Sequence, residues 1–444
     1  MHLRMIDVKL LRDNPQQYYD SARKRGFGKE EIDRFFMLDE QWRAVLKEVN
    51  DSRKERNSLS LQASETIKKG ESAEKIKEKV REINSRIAEK EAVLKTLEAD
   101  REGVLALIPN LLHESVVVAK GDENDQFIRF DGNARVFRDD KEEFLKSTEN
   151  KGIYSLIEKR PDSHVDVEER LDLVDLERAA KISGARFYFL KNRLLKLELA
   201  LINYAIDFFS QRAFTTVSPP FMMNYDPLSK ATDIETFKES LYKLENDDLY
   251  LISTSEHPIA AMLKDEILEE RELPLRVAGI SPCFRREAGA HGKDTKGIFR
   301  VHHFYKVEQF VFCKPEHSWD FHEELTRNTE DLLRSLEIPF RVVSICSGEL
   351  SRLNAKKYDI EAWFPAQGKF REVASSSNNT DFQARSLNIR YRTPEGNRFV
   401  HTLNNTGIAT TRIMVCIMEN FQTESGGIRI PKALIPYTGF EEIT

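Results

Sequence analysis

Two runs of residues spaced alternately four and three apart dominate the first quarter of the chain. Leu38, Trp42, Val45, Val49, Ser52, Arg56, Leu59 and Ala63 form one; Ile76, Val80, Ile83, Ile87, Lys90, Leu94, Leu97, Arg101 and Val104 form the other. A four-three step keeps one stripe of a helix facing a partner, so each run predicts a long helix with a packed seam. Between them lies TIKKGESAE, centred on Gly70, a short polar turn. The pair therefore folds back as an antiparallel hairpin, about 45 Å long at 1.5 Å per residue over ~30 residues. Such a pair encloses no globular core and predicts a projecting arm.

Charge placement sharpens that reading. Charged residues make up 32% of the 444, above the roughly 25% usual for globular proteins. The surplus is local, because residues 30–103 hold 16 basic and 18 acidic side chains, 34 of 74 positions, against 108 of the other 370. The net charge of −6 excludes a globally basic nucleic-acid coat protein. From Arg53 to Arg81, however, nine basic residues (Arg53, Lys54, Arg56, Lys68, Lys69, Lys75, Lys77, Lys79 and Arg81) outnumber five acidic ones, leaving the outer half of the arm at +4. Most such hairpins are spacers or dimerising coiled coils; a basic outer half suits contact with a phosphate backbone. The four cysteines (Cys283, Cys313, Cys346, Cys416) form no CxxC pair, which predicts reduced thiols. No apolar run approaches the ~20 residues of a membrane span, and a soluble, cytoplasmic protein with no membrane contact is expected.

Residues 1–108 thus read as an N-terminal domain with an arm at about 30–104, and the turn-rich stretch 109–170 as a connector. Residues 171–444 change character: helical patterns alternate with several closely spaced strands, including LRVAGISPCF, IFRVHHFYKVEQFVF and IRYR. Strands without intervening helices favour antiparallel pairing, so the class is α+β. Neither GxGxxG nor GxxxxGK[ST] occurs, which argues against Rossmann and P-loop sites.

Four stretches hold groups suited to chemistry. In SPCFRREAGAHGKDTKGIFRVHHFYKVEQFVF, a hairpin loop carrying Gly289, Gly292 and Gly297 is expected. Period-two alternation puts Arg300, His302, Phe304, Lys306 and Glu308 on one face, with Phe299, Val301, Tyr305 and Val307 on a core-like one. Arg285 and Glu287 share a parity on the preceding strand. Two arginines, two glutamates and an exposed phenylalanine suit a nucleotide, although mixed-charge strand faces are as often plain salt-bridged surface. LYLISTSEHP places Thr254 and Glu256 at a strand end, a pattern that usually caps a helix, here from near Pro258. In GKFREVASSSNNTDFQAR, Glu372 and a hydroxyl three residues on are oxygen donors fit for Mg²⁺, though polar loops look similar. RFVHTLNNTGIATTRIMVCIMENFQ predicts a strand to Leu403, a polar turn ending at Gly407 and a helix burying Ile413, Met414, Ile417, Met418 and Phe421. Arg412 near its start opposes the helix dipole, which a bound polyphosphate would justify. His302 and His303 are adjacent and no HExxH occurs, so zinc is not implied.

In order along the chain, these segments resemble the class II aminoacyl-tRNA synthetases, and among them the seryl-tRNA synthetase family, over nearly the whole length. The arm resembles that family's tRNA-binding coiled coil, VSPPFMMNYDPL the class's first motif at a dimer interface, FRREAGAHGKDTKGIFRVHHFYKVEQF the second, and TLNNTGIATTRIMVCIMENFQ the third. TSE and REVASSSN resemble the family's serine and ATP segments. The resemblance implies an antiparallel catalytic sheet flanked by helices and an ATP site of Arg285, Arg286, Glu287, Arg300, Val301, Phe304, Glu372, Val373, Ala374, Ser375 and Arg412. It implies a serine site of Thr254, Ser255, Glu256, Arg285, Glu308 and Thr406, with Mg²⁺ on Glu372 and Ser375. Arg285 and Arg412 would be catalytic, on the α- and γ-phosphates; Glu287 would meet the adenine amino group and Phe304 the adenine ring. The implied activity is formation of seryl-adenylate from ATP and L-serine and its transfer to tRNA-Ser by a homodimer, with tRNA-Sec left open. Two positions depart from the family pattern. Arg286 replaces a small residue and by parity points away from the site, and His303 stands where an amide is common.

Overall fold

The computed structural model describes residues 5–287, 294 and 296–444. The chain divides into two compact units, one running to Arg23 and then Phe27–Pro109, the other Lys24–Gly26 with Asn110–Thr444.

In the first unit both seams are helices, α1 (Glu30–Lys68) and α2 (Glu74–Leu105). Every seam residue named above is buried or partly buried, while outward neighbours such as Lys47 and Lys79 are exposed. The 39 residues of α1 make it about 58 Å long at 1.5 Å per residue, longer than the seam alone because the helix starts before Leu38 and continues past Ala63. Gly70, at φ +78, allows the reversal. Cross-helix pairs Glu48–Lys90 (2.7 Å), Arg53–Glu91 (2.7 Å) and Glu55–Arg86 (2.9 Å) fix the antiparallel register. At the root, the fully buried Asp39 meets Arg12 at 2.5 Å, Arg43 at 3.2 Å and the buried Arg101 at 3.6 Å. The Arg101 guanidinium also lies 4.4 Å from the Trp42 ring centre, which explains an arginine inside an apolar seam.

The second unit is built on one eight-stranded sheet. Its strands are β1 (Gln126–Asp131), β2 (Thr215–Val217), β3 (Leu275–Phe284), β4 (His303–Cys313), β5 (Phe340–Ser344), β6 (Lys356–Phe364), β7 (Lys369–Asn378) and β8 (His401–Ala409), in spatial order β1-β5-β6-β7-β8-β4-β3-β2. All pair antiparallel except β2, which runs parallel to β3. The main core joins the sheet to the helices Asn192–Ser210, Ser318–Ser335 and Thr410–Asn420. Ser318–Ser335 covers the face carrying Gln309, Asn405 and Ser376: Thr329 accepts from Gln309 and donates to Asn405, and Thr326 donates to Ser376. The opposite face meets the short helices Glu256–Ala261 and Phe382–Leu387.

Several sequence expectations need correction. Residues 110–170 are more than a connector, because they supply β1, which edges the sheet, and the helices Lys141–Ser147 and His164–Arg170. The strand expected from Ile298 begins only at His303, and Arg300 lies before it. Both of its faces carry buried side chains, Phe304, Lys306 and Glu308 on one and Val307 on the other, while Tyr305 is 39% exposed. Pairing with β3 on one side and β8 on the other makes β4 a central strand, which alternation cannot reveal. The turn expected to end at Gly407 is part of β8, and Thr410–Asn420 is buried along most of its circumference. Gly289 and Gly292 lie outside the described residues.

Candidate active site

The centre of the site is a carboxylate, Glu308, in the middle of β4 and fully buried. Its Oε2 lies 2.6 Å from Lys306 Nζ and accepts from Thr406 Oγ1 at 3.0 Å, while Oε1 accepts from Asn404 Nδ2 at 3.2 Å. Lys306 shares the face of Glu308 because the two are two residues apart on one strand. Thr406 and Asn404 reach it from β8 through an irregular register: Val307 pairs with Ile408 but Glu308 with Thr406, so Gly407 is the extra residue of a bulge. A Cβ on Gly407 would stand 2.6 Å from the Phe209 ring and 3.2 Å from the Val307 carbonyl oxygen. Gly407→Ala is therefore expected to cost about 1–3 kcal/mol of stability by overpacking, measurable as a lower urea midpoint.

A second carboxylate, Glu256, approaches from the first turn of Glu256–Ala261. The same Asn404 Nδ2 donates to its Oε2 at 3.1 Å, and Gln383 Nε2 donates to its Oε1 at 3.3 Å. One amide thus touches two carboxylates. The helix can come this close because Gly279, opposite Glu308 on β3, has no side chain: a Cβ there would be 2.3 Å from Ile259 Cδ1. The helix starts at Glu256 rather than near Pro258, and Thr254 Oγ1 accepts from the Glu256 N–H at 3.1 Å. Ser255 spends its hydroxyl on the Gly279 carbonyl at 3.1 Å. Within TSE, only Glu256 turns a charged side chain into the pocket. Burial, reinforced by Glu308 and opposed by Lys306, pushes the Glu256 carboxyl up to about 7.

Arg285 follows directly on β3. Its Nε donates to the Ser253 carbonyl at 3.4 Å and its guanidinium lies 5.1 Å from the Phe304 ring centre, so it borders the same pocket. Phe304 is only 9% exposed, which corrects the expectation of an open ring. Glu287 does not share a strand parity with Arg285, since β3 has ended and Glu287 takes φ +49; its Oε2 meets Arg300 Nη1 at 3.3 Å. Arg286 is exposed. His303 stacks on Tyr188 with ring centres 4.8 Å apart and planes within 4°, so this departure from the family pattern is absorbed in an aromatic stack.

The oxygen donors lie on β7, a strand where a polar loop was the alternative. Residues 372 and 375 are an odd number apart and would face opposite ways on a regular strand. A bulge reconciles them: Asp359 pairs with Ser375 and Glu361 with Glu372, so Val373 is extra and both donors share the face of Asp359 and Glu361. Val373, Ala374 and Val301 turn their side chains into the core. Arg412 Nη1 donates to the Glu372 carbonyl at 2.8 Å and lies 3.3 Å from its carboxylate. Desolvation alone would raise Glu372, but Arg412, Lys357 and Arg285 outweigh it and hold the carboxyl below its usual range. An ionised carboxylate and a hydroxyl on one face fit a hard divalent ion. Among the described residues no group of three His, Cys, Asp or Glu side chains could hold a metal alone.

Asn404 and Gln383 escaped the sequence reading of the site, and Lys306, which alternation put on the face of Glu308, was given no part in it. Parity with Thr406 could have found Asn404; nothing local signals that Gln383 reaches Glu256, 127 positions away.

An antiparallel sheet with an arginine at the end of one strand, a second arginine at the start of the helix after another, and carboxylates between them is the arrangement that the resemblance to class II aminoacyl-tRNA synthetases implies. Residues 237–421 match the model of the tRNA synthetase class II core domain (G, H, P, S and T), and residues 5–112 that of the seryl-tRNA synthetase N-terminal domain. The chain is 61% identical to the serine–tRNA ligase of Thermoplasma volcanium over 439 residues, 99% of each chain. It is 50% identical to that of Pyrococcus horikoshii, covering 99% of this chain and 97% of the relative. The crystal structure of seryl-tRNA synthetase from P. horikoshii complexed with ATP superposes with TM-score 0.94, at 49% identity and 99% coverage of both chains. The cytoplasmic serine-tRNA ligase from Naegleria fowleri in complex with AMP gives 0.85, at 37% identity, covering 100% of this chain and 99% of that one. The chain belongs to the seryl-tRNA synthetase family.

Proposed function

We propose that the chain activates L-serine with ATP and esterifies tRNA-Ser with it. The observation that carries this reading is the pair Glu256 and Glu308, joined by Asn404. A buried carboxylate with Thr406 beside it suits a small hydroxyl, and a second carboxylate suits an ammonium. Alanine would leave these groups unpaired, and a pocket built to hydrogen-bond a hydroxyl rejects the analogue lacking it by ~10⁴-fold or more. The serine carboxylate attacks the α-phosphorus of ATP; a bond forms from its oxygen to phosphorus, the bond to the bridging oxygen breaks, and pyrophosphate leaves. No side-chain nucleophile is needed, so the protein supplies position and charge. Arg285 serves the α-phosphate and serine carboxylate, Arg412 the γ-phosphate, Phe304 and Glu287 the adenine, with Arg300 and Ser375 lining the nucleotide. Val301, Val373 and Ala374 contribute main chain only. Glu372 and Ser375 would hold Mg²⁺, which when bound neutralises phosphate charge, its remaining ligands coming from ATP and water.

The arm would meet tRNA through its backbone. Lys68, Lys69, Lys75, Lys79 and Arg81 are exposed and in no ion pair among the described residues, whereas Arg53, Lys54 and Lys77 are paired and Arg56 is half-buried beside Asn57. A homodimer is supported by exposed Phe221, Met222 and Tyr225 in the segment resembling the class's first motif. No helix among the described residues is long and apolar enough to cross a membrane, and the Naegleria relative is described as cytoplasmic, the location we assign here. Charging of tRNA-Sec is a further candidate activity, tested by offering that tRNA as acceptor. The decisive experiment is ATP–pyrophosphate exchange, followed by tRNA charging: exchange dependent on serine and charging of tRNA-Ser are expected, and exchange driven equally by alanine or threonine would overturn the reading.

Glu256 makes the reaction pH-dependent. Its carboxyl is neutral below about 7 and charged above, and serine's ammonium favours the charged form. The KM for serine is expected to fall as pH rises from about 6 to 8, and Glu256→Gln to flatten the profile while raising KM throughout.

A further inference from the structure

Gln383, on Phe382–Leu387, is fully buried and all its polar capacity is used. Its Nε2 donates to the Ala231 carbonyl at 2.7 Å and to Glu256 Oε1 at 3.3 Å; its Oε1 accepts from Thr402 Oγ1 at 2.7 Å and from Asn379 Nδ2 at 3.1 Å. Asn404 takes the other oxygen of Glu256 and hands on to Glu308. Each Glu256 oxygen is therefore held by one neutral amide, and the chain of contacts runs from a backbone carbonyl outside the pocket to the central carboxylate.

We propose that Gln383 and Asn404 form an amide clamp that fixes Glu256 relative to Glu308, making Gln383 a positioning residue for the amino group of the substrate. This rests on the serine-activating reading above. Neutral donors orient a carboxylate without satisfying its charge, which leaves Glu256 free to take the ammonium as its ion partner. A lysine or arginine at 383 would compete with the substrate for that role. The charged and titratable groups around Glu256 are Glu308 and Lys306 on β4, Arg285 after β3, and the adjacent His257, which burial, aided by Lys306 and Arg285, pushes down to about 3 and so keeps neutral.

The test is Gln383→Glu in the full-length chain, read by ATP–pyrophosphate exchange from about pH 6 to 8.5. The variant keeps the shape and the acceptor toward Thr402 and Asn379 but aims a second oxygen at Glu256. The KM for serine should rise about tenfold or more, that for ATP should change less than about twofold, and the serine profile should shift to higher pH. Should this variant fail to fold, Asn404→Ser trims the other amide and should also raise the KM for serine selectively. An unchanged serine KM, or equal changes in both KM values with an unmoved profile, overturns the clamp. Absence of serine-dependent exchange in the unmodified protein overturns the serine-activating reading itself.

Discussion

Glu308→Ala is expected to lower kcat/KM for serine activation by at least about 10²-fold. Removing one member of a buried ion pair leaves the other charge uncompensated, at about 3–5 kcal/mol. Here Lys306, with only 7% of its side chain exposed, would lose its 2.6 Å partner, and Thr406 and Asn404 would lose their acceptor. Part of the cost falls on folding, so circular dichroism and urea unfolding must accompany the kinetics. Glu308→Gln keeps the shape, and a folded Gln variant with unchanged serine-dependent pyrophosphate exchange would refute the assignment of Glu308 to the serine hydroxyl.

Deletion of residues 40–98 should separate the two half-reactions. The cut leaves Asp39 with Arg12 and Arg101 at the arm's root, and removes Arg43, Trp42 and the outer helices with their cross-pairs. A short linker suffices, because packed helices lie about 8–10 Å apart. Serine-dependent exchange should persist within a few-fold, whereas charging of tRNA-Ser should fall to background. Undiminished charging would remove the arm from tRNA recognition. Within the intact arm, neutralising Lys68, Lys69 and Lys75 should lower the slope of log affinity against log salt by about 0.7–0.9 for each phosphate that the arm no longer neutralises.

The arm was legible in the sequence because both helices of a coiled coil carry the same local period, and each seam residue met its fate without help from distant chain. Strands β3 and β4 were equally audible from their composition, but β4's second buried face was not. Burial on both faces depends on which strands flank it, and β8 lies almost a hundred residues downstream. Parity worked where the strand was regular, joining Lys306 to Glu308, and failed where φ turned positive, as at Glu287. Gln383 illustrates the remaining blindness, since a buried amide joining two distant segments has no periodic signature.

The bulge at Val373 bears on how this site should be dissected. The extra residue of a bulge is released from the ladder, and here the carbonyl beside it, that of Glu372, is the one Arg412 grasps. On the reading proposed above, what positions 372–374 would offer a nucleotide lies partly in main-chain atoms that every amino acid possesses. Alanine scanning is mute about such groups: at Val373 it would register weakened packing and nothing of recognition. Backbone chemistry, such as an amide-to-ester exchange introduced by peptide ligation, is the instrument that reads them.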